Sequence, residues 1–198
     1  MFKYLAGAAL AFGLAGAAHA ALPIYATPGF ENAVTYSFTA AGDGDLLAYF
    51  TGSNASFTEV LGVEINGVDS GITGLNNHTS AYGDSLNFGF VHAGDSLNFY
   101  INVFNTGDTF YTVRARNNDG VNHVFSASYA GDPDVPAGVY VAFEDLPNGG
   151  DFNYRDETFV FTNVTSTPGG VPEPASWALM IIGFGTAGAM LRRKSALA

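Results

Sequence analysis

Apolar residues between positions 21 and 166 recur at every second position, and this spacing restricts the fold more than any other feature of the chain. Side chains of a β-strand point alternately to its two faces, so the pattern predicts strands with one buried face. Leu61, Val63 and Ile65 form one such set, followed by Asn66-Gly67, a strong hairpin signal. Further inward sets are predicted at Val34, Tyr36 and Phe38 and at Leu47 and Tyr49.

Turn signals divide this region into about nine short strands without a convincing helix. Besides the three inward sets, strands are predicted at residues 85–91, 97–104, 109–114, 123–129, 139–143 and 158–163. Short strands at this spacing are typical of a β-sandwich or jelly roll. We therefore expect a single all-β domain at residues 21–166, long enough for one core without the disulfides that a cysteine-free chain cannot form.

The string Gly83-Asp84-Ser85-Leu86-Asn87-Phe88 recurs in the same order at residues 94–99. Each Gly-Asp pair is expected to start a turn and each Leu and Phe to face inward, which predicts two neighbouring strands. The string also matches the nucleophile block of GDSL esterases, but His78, His92 and His123 lack the Asp-x-x-His context of that family. We therefore expect that the protein is not an enzyme. A hydrolase is the second of the two alternative functions considered, after the carbohydrate-binding module described below.

The N-terminus has the three parts of a secretory signal peptide. Lys3 is followed by an apolar stretch at residues 4–17 and by Ala18-His19-Ala20, which is an A-x-A cleavage site. Residues 1–20 are thus expected to be removed by cleavage between Ala20 and Ala21. The mature protein then begins outside the cytoplasm.

The C-terminus carries a second targeting signal. Pro172-Glu173-Pro174 precedes an uncharged stretch at residues 175–191 that contains Trp177 and is followed by Arg192-Arg193-Lys194. As a helix this stretch is about 25 Å long, at the short limit for a bilayer core of roughly 30 Å. The interfacial tryptophan and the basic cluster favour a short transmembrane sorting helix at 175–198 that anchors the chain transiently. Residues 167–174 are predicted to be a flexible linker that includes the Pro-Glu-Pro motif.

This segment closely resembles the PEP-CTERM signal of Gram-negative bacteria. The resemblance is carried by Pro172-Glu173-Pro174-Ala175-Ser176-Trp177-Ala178-Leu179-Met180, Gly183-Phe184-Gly185 and the basic cluster. It implies recognition by an exosortase-type membrane peptidase near the Pro-Glu-Pro motif, after a transient stay in the inner membrane. The expected location is therefore the periplasm, the cell surface or the extracellular matrix.

The domain between the two signals is strongly acidic. It has 17 Asp and Glu against Arg114, Arg116 and Arg155, a formal charge of −14, and it contains no lysine. Such a surface repels nucleic acid and fits divalent cations or simple solubility equally well. We expect the three arginines to pair with carboxylates.

The densest group of oxygen ligands lies in a glycine-bearing loop at residues 143–157. Its members are Glu144, Asp145, Asp151, Asn153, Asp156 and Glu157. Carboxylates crowded on one loop need solvent, Arg155 or a hard cation, and Asp151-x-Asn153 has an alternation that calcium loops use. The pattern lacks the twelve-residue EF-hand spacing, so a calcium site and a solvated hairpin of Asx turns are both open alternatives.

Residues 138–161 look like the F-E-D-L-x-x-G-G-D-x-D-Y-N-D domain of unknown function of bacterial surface proteins. The resemblance is carried by Phe143-Glu144-Asp145-Leu146-Pro147 and Asp151-Phe152-Asn153-Tyr154-Arg155-Asp156. Many members of that family have Asn in place of Arg155 and Asp near Phe152, so the resemblance implies that this chain lacks at least one potential oxygen ligand. Residues 45–98 also look like small exported PEP-CTERM proteins. These resemblances imply location and architecture but no activity.

The sequence therefore predicts a non-catalytic component of the cell surface or exopolysaccharide matrix, with calcium as a candidate stabilising ion. The first alternative is a carbohydrate-binding module in which tyrosines stack on sugar rings. The candidate tyrosines are Tyr100, Tyr111, Tyr129, Tyr140 and Tyr154. Packing of these rings in the core or on strand faces is the competing interpretation.

Overall fold

The computed structural model describes residues 20–169 together with Ile182 and Phe184. The strands in this part of the chain are β1 (Thr35–Ala40), β2 (Gly44–Gly52), β3 (Glu59–Ile65), β4 (Val68–Gly74), β5 (Ser85–Val91), β6 (Ser96–Val103), β7 (Asp108–Tyr111), β8 (Val124–Tyr129), β9 (Gly138–Phe143), β10 (Glu157–Thr162) and β11 (Val164–Gly169). Short 3₁₀ turns lie at Arg114–Arg116 and Pro147–Gly149. The expected all-β fold is confirmed. Except for Ala20, Ile182 and Phe184, the predicted signal peptide and sorting helix lie outside the described residues.

The strands form two antiparallel sheets. Sheet A has the order β11-β1-β6-β3-β4, with β7 also paired to β6, and sheet B has the order β5-β2-β10-β9-β8. The sheets meet through aromatic side chains, since Phe99 of β6 stacks on Phe161 of β10 with ring centroids 3.8 Å apart. Strand β3 is an interior strand of sheet A and β10 is an interior strand of sheet B, because each is paired with a neighbour on both sides.

The main core lies between the sheets, where alternate residues of each strand point inward. Leu61 and Val63 of β3 and Phe159 and Phe161 of β10 are all 0 % exposed. Tyr36 and Phe38 of β1 belong to the same cluster, as the alternation of that strand predicts. Val34, the third residue of the predicted inward set, lies before β1 and is exposed, so that part of the prediction is wrong.

A second apolar cluster covers the outer face of sheet B. Its buried members are Tyr129, Val135, Tyr140, Ala142, Tyr154 and Val160. Leu22 and Tyr25 of the predicted mature N-terminus pack on it, and Tyr25 meets Tyr154 edge-on with ring centroids 4.8 Å apart. The Tyr154 hydroxyl accepts a hydrogen bond from the Asn32 N–H at 2.8 Å and donates one to the Asn122 carbonyl at 2.9 Å. The N-terminal segment is thus part of the folded domain.

This second cluster explains why the predicted inward set of β2 is wrong. Leu46, Ala48 and Phe50 face the main core, whereas Leu47 and Tyr49 lie half-buried on the other face of the strand. Tyr49 packs against the second cluster. Because sheet B is apolar on both faces, hydrophobicity does not distinguish the two sets of residues on β2.

The repeated Gly-Asp strings begin strands of different sheets, so the expectation of neighbouring strands is wrong. Strand β5 pairs with β2 in sheet B, whereas β6 pairs with β1 and β3 in sheet A. The turns form as expected: Asp84 accepts the Ala81 N–H and Asp95 accepts the His92 N–H, each at 2.8 Å. Local side-chain chemistry sets the turn but not the partner strand.

Two strands are missing from the sequence prediction. Strand β4 follows the predicted Asn66-Gly67 turn, and β11 extends through residues 164–169, where the start of a flexible linker is predicted. Strand β11 pairs with β1 along its whole length, with Thr35 opposite Gly169. Both are edge strands with mostly exposed side chains, so no apolar alternation marks them.

Gly138, the first residue of β9, is a position where the fold leaves no room for a side chain. A Cβ atom there would lie 2.3 Å from the carbonyl oxygen of Phe161 on the neighbouring strand. We expect Gly138→Ala to lower the free energy of unfolding by about 1–3 kcal/mol, because the clash is with backbone and β9 must shift. Gly42→Ala is the control, since the nearest atom to a Cβ there is Asn163 Oδ1 at 3.8 Å. Equal midpoints in urea unfolding of the two variants would contradict this expectation.

Candidate cation site

Glu59 and Glu157 place carboxyl groups inside the sandwich from opposite sheets. Glu59 is the first residue of β3 and has the same parity as Leu61 and Val63, which face the core. Glu157 is the first residue of β10 and has the same parity as Phe159. Both glutamates are 0 % exposed. Charged side chains are almost never buried to this extent without a partner, so these two positions require an explanation.

No donor satisfies either carboxyl group. Both oxygens of Glu59 and both oxygens of Glu157 are shielded from solvent and have no hydrogen-bond partner among the described residues. Glu59 faces the carboxyl group of Asp145, which is also an acceptor, so a hydrogen bond between them requires a proton on one of the two. An unpaired buried carboxylate costs several kcal/mol, so these groups must bind either protons or a cation.

Burial and crowding both oppose ionisation here. Burial, together with the carboxyl groups of Asp145, Glu157 and Asp156, raises the pKa of Glu59 to about 10. Burial and the nearby Asp145 raise the pKa of Glu157 well above its ordinary value and that of Asp156 to about 7. Glu59, Asp145, Asp156 and Glu157 are called the carboxylate cluster from here on.

The connection between β9 and β10 holds two members of the cluster in place. Asp156 Oδ2 accepts the Asp145 N–H at 3.2 Å, and the Asp156 N–H donates to the Phe143 carbonyl at 3.1 Å. On the side of sheet A, the Glu59 N–H donates to Asn77 Oδ1 at 2.9 Å. The backbone around the cluster is therefore fixed by hydrogen bonds, while the carboxyl groups of the two glutamates are left without partners.

The other predicted ligands of the acidic loop have different surroundings. Glu144 is buried, which raises its pKa to about 8, but its Oε1 accepts the Tyr154 N–H at 2.8 Å. Asp151 is exposed, and its two oxygens accept the N–H and the side-chain amide of Asn153 at 3.0 and 2.8 Å. Asn153 Oδ1 is buried with no hydrogen-bond partner in the described chain. The loop thus combines an Asx turn with buried carboxylates.

Sequence reasoning missed Glu59, which lies far from the acidic loop along the chain. Its signal is its parity: alternation on β3 places Glu59 on the same face as Leu61 and Val63, so a carboxylate in the core was readable from the sequence. What the sequence does not show is that Glu59 lies close to Asp145 and Glu157, because this proximity depends on how the two sheets pack together.

Within the described residues, no group of three or more acidic or histidine side chains is already arranged to bind a metal ion. His78 and His92 are exposed. His123 is fully buried, with Nδ1 3.0 Å from the Glu144 carbonyl oxygen and Nε2 2.9 Å from Asp119 Oδ2. His123 therefore serves packing and hydrogen bonding next to the acidic loop.

Two of the three expected arginine pairs form. Arg116 binds Glu64 through hydrogen bonds of 2.6 and 2.8 Å, and Arg114 lies 3.0 Å from Glu31. Arg155 is exposed and forms no salt bridge with another described residue, so the expectation that it pairs with a carboxylate is wrong. Arg155, the cation within the acidic loop, therefore neutralises none of its carboxylates through a salt bridge in the described residues.

The tyrosines considered for sugar stacking lie mostly inside the domain. Those at most 5 % exposed are Tyr100, Tyr129, Tyr140 and Tyr154. Tyr111 is half-buried, and the Arg116 guanidinium lies 4.4 Å from its ring centroid. Rings at this depth do not present a free face to a glycan, so for the four buried tyrosines the packing interpretation is right.

The serines of the two Gly-Asp-Ser-Leu strings, Ser85 and Ser96, begin β5 and β6 and are exposed. Neither hydroxyl is hydrogen-bonded to a histidine in the described structure. Activation of a serine nucleophile requires such a base.

Comparison with known families identifies the C-terminal segment. Residues 170–194 match the PEP-CTERM protein-sorting motif, which begins directly after Gly169, the last residue of β11. The match confirms the expected sorting signal and indicates an exported protein that crosses the membrane, is processed by an exosortase and is sorted to the cell surface. No curated protein and no solved structure matches the chain. The resemblance of residues 138–161 to the F-E-D-L family is not shown by these comparisons.

The described residues contain no helix with the length and hydrophobicity of a membrane span. The predicted span at 175–191 lies outside them, apart from Ile182 and Phe184. At the expected signal-peptide cleavage site, Ala20 and Ala21 are described and Ala18 is not. The Ala20 carbonyl accepts a hydrogen bond from the Tyr129 hydroxyl at 3.4 Å.

Proposed function

We propose that this protein is a non-catalytic component of the cell surface or exopolysaccharide matrix and that calcium stabilises its fold. The observation that carries the proposal is the position of the sorting motif, which starts at residue 170, immediately after β11. Cleavage near Pro172-Glu173-Pro174 would therefore leave every strand of the sandwich in the released product.

The N-terminal end supports the same proposal. Cleavage between Ala20 and Ala21 would keep Leu22 and Tyr25, which cover the outer face of sheet B. Both processing steps are thus compatible with an intact domain, as a delivered structural component requires.

The surface and interior of the domain fit this role better than the alternatives. The formal charge of −14 between residues 21 and 166 disfavours nucleic acid as a partner. Burial of four candidate tyrosines removes the main support for a carbohydrate-binding module. The carboxylate cluster supports the calcium part of the proposal, because its unpartnered oxygens are the ligands that calcium prefers.

Fractionation of cells that express the full chain with an exosortase tests the sorted role. We expect the protein outside the inner membrane, with an intact mass that starts at Ala21 and ends near Pro172-Glu173-Pro174. A Pro172→Ala/Pro174→Ala variant should stay in the membrane fraction uncleaved, because the recognition motif is lost. Recovery of the wild type from the cytosol with Met1 and Ala198 still attached would contradict the proposal.

Two assays separate this role from its competitors. Turnover of an ester substrate that Ser85→Ala or Ser96→Ala abolishes would replace the non-catalytic role by a hydrolase. Retention on a polysaccharide column that Tyr111→Ala abolishes would favour a binding module. We expect neither result.

A further inference from the structure

We propose that Glu59, Asp145, Asp156 and Glu157 bind one Ca²⁺ ion that joins sheet A to sheet B. This inference gives the calcium stabilisation of the proposed function its site, and it rests on that part of the proposed function. The site differs from a calcium loop, because its ligands come from the start of β3, the residues after β9 and the start of β10.

The evidence for a bound cation comes from Glu59 and Glu157. They begin interior strands of opposite sheets, both follow the inward parity of those strands, and both are fully buried. Both also interact with the carboxyl group of Asp145, so three acidic groups converge at one end of the core. Burying these carboxyl groups together destabilises the fold unless positive charge occupies the space between them.

The described part of the protein offers no cation of its own for this space. Arg155 is exposed without a salt bridge, Arg114 pairs with Glu31, and the domain has no lysine. Protons can neutralise the groups, but each proton provides a single hydrogen bond and leaves other acceptor oxygens unpartnered. A divalent cation binds several of these oxygens at once and also repays the cost of bringing the carboxylates together.

The chemistry of the ligands selects calcium. All four ligands are carboxylates, which hard cations prefer, and the chain contains no cysteine. Magnesium demands near-ideal octahedral geometry, whereas calcium accepts about six to eight oxygens in a flexible arrangement. Because no three side chains of the described residues stand ready for a metal, binding must draw the carboxyl groups together, and calcium tolerates such a site better.

Calorimetric titration of CaCl₂ into the processed protein tests the site. We expect a single site with a dissociation constant at or below about 10⁻³ M, the range of extracellular calcium modules. Glu59→Gln should weaken binding at least about tenfold, because it removes a charged ligand. Glu64→Gln is the matched control: it makes the same change on the same strand but on the outer face, where Glu64 binds Arg116, and calcium affinity should be retained.

Asp151→Asn distinguishes the site between the sheets from a site in the exposed part of the loop. Asp151 is exposed and already binds Asn153, so its replacement should leave calcium affinity unchanged. A loss equal to that of Glu59→Gln would overturn the proposal, as would equally tight binding of MgCl₂. If far-UV circular dichroism shows that Glu59→Gln does not fold, Glu157→Gln provides the same measurement from sheet B.

The decisive negative result is a wild-type protein that shows no heat of binding and no rise in melting temperature up to about 10 mM calcium. That result would overturn the site and leave the sorted surface role intact, because fractionation and intact mass measure the role independently. Calcium binding by a protein that never leaves the cytosol would support the site and contradict the role.

Discussion

In EDTA, the melting temperature of the processed protein should fall by about 10 °C between pH 5 and pH 8. Burial and the facing carboxyl groups of Asp145, Glu157 and Asp156 raise the pKa of Glu59 from 4.5 to about 10. Glu59 therefore takes up a proton on folding between these two values. The stability linked to that proton is complete below pH 4.5 and is lost as the pH rises towards the folded pKa. For one group the loss is about 1.4 kcal/mol per pH unit, or about 4 kcal/mol over this interval.

Calcium should reverse this loss and should act most strongly at pH 8. Metal ligands must be deprotonated, so calcium and protons compete for the same carboxyl groups. At about 100 times its dissociation constant, calcium stabilises the folded state by about 2.7 kcal/mol. Thermal unfolding at pH 5 and pH 8, each with EDTA and with calcium, gives the four melting temperatures that this comparison needs. A flat pH profile in EDTA, or equal calcium shifts at both pH values, would contradict the expectation.

Thermal unfolding in EDTA extended below pH 5 should show a second loss of stability. Although burial opposes ionisation of Glu64, hydrogen bonds from Arg116 and Asn98 lower its pKa below the ordinary 4.5. A group with a lowered pKa stabilises the folded state above its unfolded pKa, and this contribution disappears as the pH falls through the folded value. Stability in EDTA should therefore be greatest near about pH 5, between the two effects.

The alternation of apolar residues predicted where most strands lie along the chain, but it did not predict which strands pair or which face of β2 is buried in the main core. Each predicted strand overlaps an observed one, because an apolar residue at every second position is a local property of a half-buried strand. The inward face of β2 could not be predicted, because the segment around Leu22 and Tyr25 buries the opposite face of sheet B as well. The exposed edge strands β4 and β11 carry no apolar signal.

The candidate site shows the same division between local and long-range information. The sequence identified Asp145, Asp156 and Glu157 as candidate ligands, because they lie close together in one loop. The parity of Glu59 places it on the core face of β3, but its approach to the loop could not be predicted, because that approach depends on how the two sheets pack together. For the acidic loop, the sequence also did not distinguish the buried Asp145 and Glu157 from the solvent-exposed Asp151.

Replacing both buried glutamates by glutamine should make the protein more stable than the wild type in EDTA at pH 8. Glu59→Gln/Glu157→Gln keeps the shape of the side chains and removes two carboxyl groups that have no partner in the described structure and that must bind protons on folding at pH 8. Because glutamine needs no proton, we expect it to avoid this cost and to stabilise the protein by about 1–4 kcal/mol, which corresponds to about 3–10 °C here. The double variant should also lose its response to calcium and most of its dependence on pH between 5 and 8.

Glu64→Gln is the control for this double variant, because it also neutralises a glutamate of β3. It breaks the pair with Arg116, so we expect a loss of about 1 kcal/mol and an unchanged response to calcium. The opposite signs of the two effects follow from one difference: Glu64 has a cation supplied by the fold, and Glu59 and Glu157 do not. A double variant that is less stable than the wild type in EDTA at pH 8 would mean that the fold already satisfies these carboxyl groups, and a cation would then have no role between the sheets.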